Sequence, residues 1–120
     1  MTEVDRKLDA FWKAFEAIET MVLECDKRFG VRLINPRELL LYRRRVEPFV
    51  DAVTQHGTLS VVSTADLWDA LDHLTSPDVW VEGLQMGGIK GPGLAKFKAL
   101  ARALAELQRV AWRQLELGDR

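Results

Sequence analysis

Val4, Leu8, Phe11, Phe15, Ile18, Val22, Cys25 and Phe29 recur at an unbroken 4-3-4-3 spacing through the first thirty residues. No strand can use that spacing, because side chains alternate faces along a strand with a period of two. It specifies a long helix with one apolar seam, on the order of 39 Å in length at helical rise. Trp12, Ala14 and Met21 flank the seam, so the stripe is broader than that of a two-stranded coiled coil. Phenylalanine at both seam positions points the same way. The expectation is a wall of a helical bundle with coiled-coil-like packing.

Start and stop signals divide the rest. Thr2 followed by Asp5 has the form of a capping box, and Gly30 suits the residue after a helix end. Asn35-Pro36-Arg37-Glu38 opens a second helix, with Asn as cap and Pro in the first turn. Leu39, Tyr42, Val46, Phe49 and Val53 step along it to Gly57. Pro48 leaves the Arg44 carbonyl without its donor, so this helix is expected to kink there or to end near Val46 and restart. Residues 58–62 are short and β-branched, and read equally as a strand or an extended connector. Ser63 and Asp66 begin a short acidic helix carrying Leu67, Trp68, Leu71 and Leu74, which Ser76-Pro77 stops. Val79-Trp80-Val81 reads as a second strand, and two such strands would make a small β-hairpin beside the bundle. Pro92 opens a last helix running to about Leu117, with Phe97, Leu100, Leu104, Leu107 and Ala111 as its seam. The fold expected is all-α: one helical domain over 1–120, with two long heptad-patterned helices, a kinked second helix and a short acidic helix.

Such long helices in a chain of 120 residues would leave a thin core in a monomer. The seams are therefore expected to pack on each other or on copies of the chain. Phe11, Phe15, Ile18, Val22, Leu104 and Leu107 are the expected homo-oligomer interface. The N-terminus is charged and amphipathic rather than a signal peptide, and no apolar run reaches membrane-spanning length. The location expected is cytoplasmic.

Chemistry is sparse. One cysteine, Cys25, sits on the seam as a small hydrophobe. His73 shares a helix face with Asp69, which makes a local hydrogen bond and falls short of the three or four ligands a metal needs. No nucleophile–base set is present, so no enzyme, no cofactor and no metal are expected. Charge is informative instead. The net charge of -1 hides an asymmetry. Asp66, Asp69, Asp72, Asp78 and Glu82 lie in a stretch without Lys or Arg, whereas residues 90–113 hold six bases and one acid, Glu106. Lys98, Arg102, Arg109 and Arg113 fall opposite the last helix's seam as a ridge roughly 23 Å long. Arg43, Arg44 and Arg45 form a second basic cluster. The ridge is a solvated face, a contact for a neighbour's acidic helix, or a row of phosphate contacts along a nucleic acid.

Gly88-Ile89-Lys90-Gly91-Pro92-Gly93 lacks the spacing of a P-loop and its following Ser or Thr. It is somewhat similar to the hairpin of a helix-hairpin-helix DNA motif. The glycines stand one residue further apart, however, and the motif's preceding helix is not expected here. It reads first as a flexible lead-in whose backbone amides can hold one phosphate, near Lys90.

The order of features resembles the small terminase subunits of tailed bacteriophages. Those features are Phe11-Trp12 in the first helix, Tyr42-Arg43-Arg44-Arg45 in the second, and Gly87-Gly88 with Lys90 and Pro92 before a leucine-rich last helix. The match is best over the last thirty residues. The chain departs from the family in ending just after the last helix, in a more elaborate segment over 58–82, and in lacking a helix-turn-helix before helix one. The resemblance implies a non-enzymatic ring in the host cytoplasm that recognises double-stranded DNA and presents it to a large ATPase-nuclease subunit. The alternative is a helical adaptor or scaffold that binds only protein, such as a virion connector or a regulatory bundle subunit.

Overall fold

The computed structural model describes residues 2–118, and no strand forms among them. Five helices follow one another: α1 (Glu3–Phe29), α2 (Pro36–His56), α3 (Val61–Asp72), α4 (Pro77–Met86) and α5 (Pro92–Gly118). The molecule measures 50 × 25 × 21 Å.

The local signals of α1 and α2 act as written. The Thr2 hydroxyl accepts from the Asp5 N–H, and the Asp5 carboxylate accepts from the Thr2 N–H at 2.9 Å. Gly30 ends α1 at φ 63° and Gly57 ends α2 at φ 83°, where glycine carries no Cβ penalty. Pro48, however, does not end α2, which continues through it to His56. Pro48 and Arg44 are both exposed, so the carbonyl that loses its donor faces water, while Val46, Phe49 and Val53 hold the opposite face on the core.

The expected β-hairpin is absent from the described residues. Ser60 caps α3 by accepting from the Ser63 N–H at 3.2 Å, so residues 61–62 already belong to a helix. Ser76-Pro77 opens α4 rather than merely closing α3: Ser76 accepts from the Asp78 N–H and Pro77 fills the first helical position. Trp80, Val81 and Leu84 then lie on one buried face at helical spacing. A Ser-Pro pair carries both meanings, and only the apolar period after it separates them.

The unforeseen helix changes the core. α5 packs on α1, α3 and α4, and α2 packs on α1 and α3. α1 and α5 run antiparallel, with Lys7 against Glu106 at one end and Met21 beside Gly93 at the other. An aromatic chain crosses the bundle from α1 to α5. Phe15 lies 5.7 Å from Tyr42, Tyr42 lies 5.0 Å from Trp80, and Trp80 meets Phe97 edge-on at 6.2 Å. The buried Tyr42 hydroxyl donates to the Thr75 carbonyl, and burial pushes its pKa up. Phe11, Phe15, Ile18, Val22, Leu104 and Leu107 are at most 4% exposed within the single chain. These six form the chain's own core rather than an outward-facing subunit surface. Five helices cover the α1 seam from Val4 to Val22 and the α5 seam, whereas Phe29, the last seam residue expected on α1, stays 72% exposed.

Candidate nucleic-acid interface

α4 and α5 pack on each other across a tight glycine-containing hairpin connection, and the construction is local. As α4 ends, the N–H groups of Gly87, Gly88 and Ile89 turn back to the carbonyls of Gly83, Gln85 and Leu84 at 3.0–3.1 Å. Gly88 takes φ 83° to make that reversal, and half-buried Ile89 packs on the core and anchors the loop. Gly91 repeats the left-handed conformation at φ 82° and hands the chain to Pro92. A Cβ at Gly88 or Gly91 would meet no atom within 4 Å, so the outer side of the hairpin is open.

The start of α5 differs from the other four. Thr2, Asn35, Ser60 and Ser76 each offer a side-chain oxygen to their helix, whereas α5 begins on glycine. The N–H groups of Lys90, Gly91, Gly93 and Leu94 donate to no acceptor among the described residues. The first turn of α5 carries no acid. Free amides, the positive end of a 27-residue helix and the exposed Lys90 therefore lie within one short segment, residues 90–94.

Below it, the ridge is uneven. Lys98, Arg102 and Arg113 are exposed and form no ion pair among the described residues. Lys98 and Arg102 overhang a groove of about 380 Å³ floored by Ala101 and Ala105, with Asp78 of α4 on its far rim. Arg109 is already engaged. Glu106 accepts from its guanidinium at 2.6 and 3.1 Å, which raises the Arg109 pKa and brings that of Glu106 down to about 2.

Arg43, Arg44 and Arg45 do not join this surface. Arg43 turns toward α1, where it pairs with Glu19 at 2.5 Å, reaches Glu16 at 3.7 Å and bonds Glu47 on its own helix. Its guanidinium also stacks 5.0 Å from the Trp12 ring centre. The Glu19 hydrogen bonds push its pKa up. Arg43 is thus committed to the α1–α2 junction, which corrects the expectation of a phosphate contact. Arg44 is exposed on the outer face of α2 with Arg37, Leu40 and Leu41, and Arg45 is half-buried.

No family model, curated protein or solved structure matches the chain. The site rests on its own geometry. His73 bonds the Asp69 carbonyl through Nδ1 at 2.7 Å, and no three His, Cys, Asp or Glu side chains are placed to hold a metal ion among the described residues. No helix among them is long and apolar enough to cross a membrane. Sequence reasoning valued the ridge and undervalued the hairpin. The missing clue was α4: once Ser76-Pro77 is taken as a helix start, the glycines fall between two helices.

Proposed function

We propose that this protein is a non-enzymatic DNA-binding subunit that grips the phosphate backbone of duplex DNA. The α4–α5 hairpin is the primary contact, and Lys98, Arg102 and Arg113 follow the strand along α5. One observation carries the proposal: the unengaged backbone amides of Lys90, Gly91, Gly93 and Leu94, at an uncapped helix start preceded by two left-handed glycines. Amides at a helix N-terminus suit a phosphate oxygen, and they read no base, so binding is sequence-tolerant. A homo-oligomer that presents DNA to a large ATPase-nuclease, as the small-terminase resemblance implies, is the setting this reading favours.

The test is anisotropy titration of unrelated duplexes against the wild type and the Lys90→Glu/Arg102→Glu variant. The wild type should bind all of them, with a log–log salt slope of roughly −0.9 per phosphate neutralised. The variant should bind at least about tenfold more weakly, while its melting stays within about half a kcal/mol, as exposed substitutions do. A wild type that does not bind DNA, or a variant that binds equally, overturns the proposal. A protein-only adaptor is the second reading, favoured by the half-exposed Trp112 and its apolar neighbours far from the hairpin.

A further inference from the structure

The α3–α5 face carries a feature that the DNA site does not use. α3 lies antiparallel on α5, pinned by two glutamine amides. Gln114 donates to the Thr64 hydroxyl at 3.0 Å, and Gln108 donates to the Leu71 carbonyl at 3.4 Å. Between them the Trp68 and Trp112 rings pack with centres 5.3 Å apart and planes tilted by 45°. The surface around this pair is apolar and open: Trp112 is 49% exposed, Val61 50% and Leu117 62%. Monomeric proteins seldom leave such residues together, and indole rings are the commonest anchors of protein contacts.

The charges on either side indicate what covers it. On α3, Asp69 and Asp72 follow Trp68 at one and four positions and are exposed, with Asp66 beside them and no Lys or Arg on that helix. On α5, Arg109 and Arg113 lie three before and one after Trp112. Glu106 holds Arg109, Glu116 stands one turn beyond Trp112, and Arg113 makes no ion pair among the described residues. The face therefore has an aromatic centre, an acidic flank and a flank that carries two arginines.

We infer that this face docks a second copy of the chain, about a two-fold axis lying along the helices through the Trp68–Trp112 pair. That operation sets each α3 over the partner copy's α5. The same patch meets itself, Trp112 is buried on both sides, and the Asp66–Asp72 flank faces the Arg109–Arg113 flank twice. The hairpin lies about 30 Å away along α5 at helical rise, so this contact leaves the hairpin, Lys98 and Arg102 free, takes up only Arg113 of the ridge's proposed DNA contacts, and stands whether or not the protein binds DNA.

Sedimentation equilibrium without nucleic acid tests the inference. The wild type should move from the 13.7 kDa chain mass toward twice that value as concentration rises through the micromolar range. Trp112→Lys should remain monomeric with unchanged helical circular dichroism. A charge cycle keeps the test independent of that variant's folding. Asp66→Lys and Arg113→Asp, which this register sets level with each other, should each weaken association about tenfold, and combining them should restore much of it, since reversed charges then face each other across the contact. A wild type that stays monomeric throughout, dimers that persist in Trp112→Lys, or single charge reversals that leave association unchanged would each overturn it.

Discussion

The two long helices begin in opposite ways. At the start of α1 the chain supplies its own anion. Asp5 is fully buried and accepts from the Thr2 N–H at 2.9 Å, the Thr58 hydroxyl at 2.6 Å and the Leu59 N–H at 3.1 Å. One carboxylate thus caps α1 and ties it to the α2–α3 connection more than fifty positions away. At the start of α5 no side chain fills that role and the amides remain free. The first terminus is a fixed joint and the second is an uncapped socket. A helix start needs negative charge or an acceptor, and where a chain withholds both, the surface is suited to a ligand that brings them.

The largest effect should come from breaking the joint. Asp5→Ala removes the cap and strands the buried Leu59 N–H, a loss of about 3 kcal/mol. Chemical denaturation should register it, while DNA affinity measured well below the melting temperature should stay at the wild-type value.

Acid should weaken the same joint reversibly. Burial alone would raise the Asp5 pKa, but hydrogen bonds from Thr58, Thr2 and Leu59 together hold it below its ordinary 3.8. A carboxylate depressed in the folded state contributes its full stability above the unfolded value. That contribution is lost as pH falls through the folded one. Stability should therefore be flat with respect to Asp5 from neutrality to about pH 5, then decline below about pH 4. Asp5→Asn should flatten that part of the acid limb. A wild-type and Asp5→Asn difference that did not vary with pH would show that the carboxylate is unimportant to the joint.

The smallest change in stability is the most discriminating, because its two readouts move oppositely. Gly93→Glu fills the socket of α5 from within. Its Cβ would meet only the Met21 sulfur, at an ordinary 3.7 Å. Replacing a helical glycine and adding an acid to the first turn should stabilise the protein by about 1 kcal/mol. The same carboxylate should weaken DNA binding at least about tenfold by occupying the amides and repelling phosphate. A variant that is more stable and still binds would place the DNA contact elsewhere.

The fold was legible wherever a signal acts within one turn. Thr2 with Asp5, Asn35 before Pro36, Gly30 and Gly57 each specify their own neighbourhood, and the structure follows them; of the seam read from Val4 to Phe29, the residues up to Val22 are buried and Phe29 is exposed. Lys98, Arg102 and Arg113 were placed outward by period alone, and they stand exposed.

Other features depended on partners far along the chain. Whether Ser76-Pro77 closes one helix or opens another depended on Trp80 finding Tyr42 and Phe97. The role of Arg43 depended on Glu19 and Trp12 of α1. Asp5 had a second role because the fold brings Thr58 and Leu59 to it. Sequence by itself determined where helices start, stop and turn their apolar faces, because capping and periodicity are short-range. Tertiary structure decided which charges are spent inside the molecule and which amides are left for a ligand, because pairing is set by distance in space.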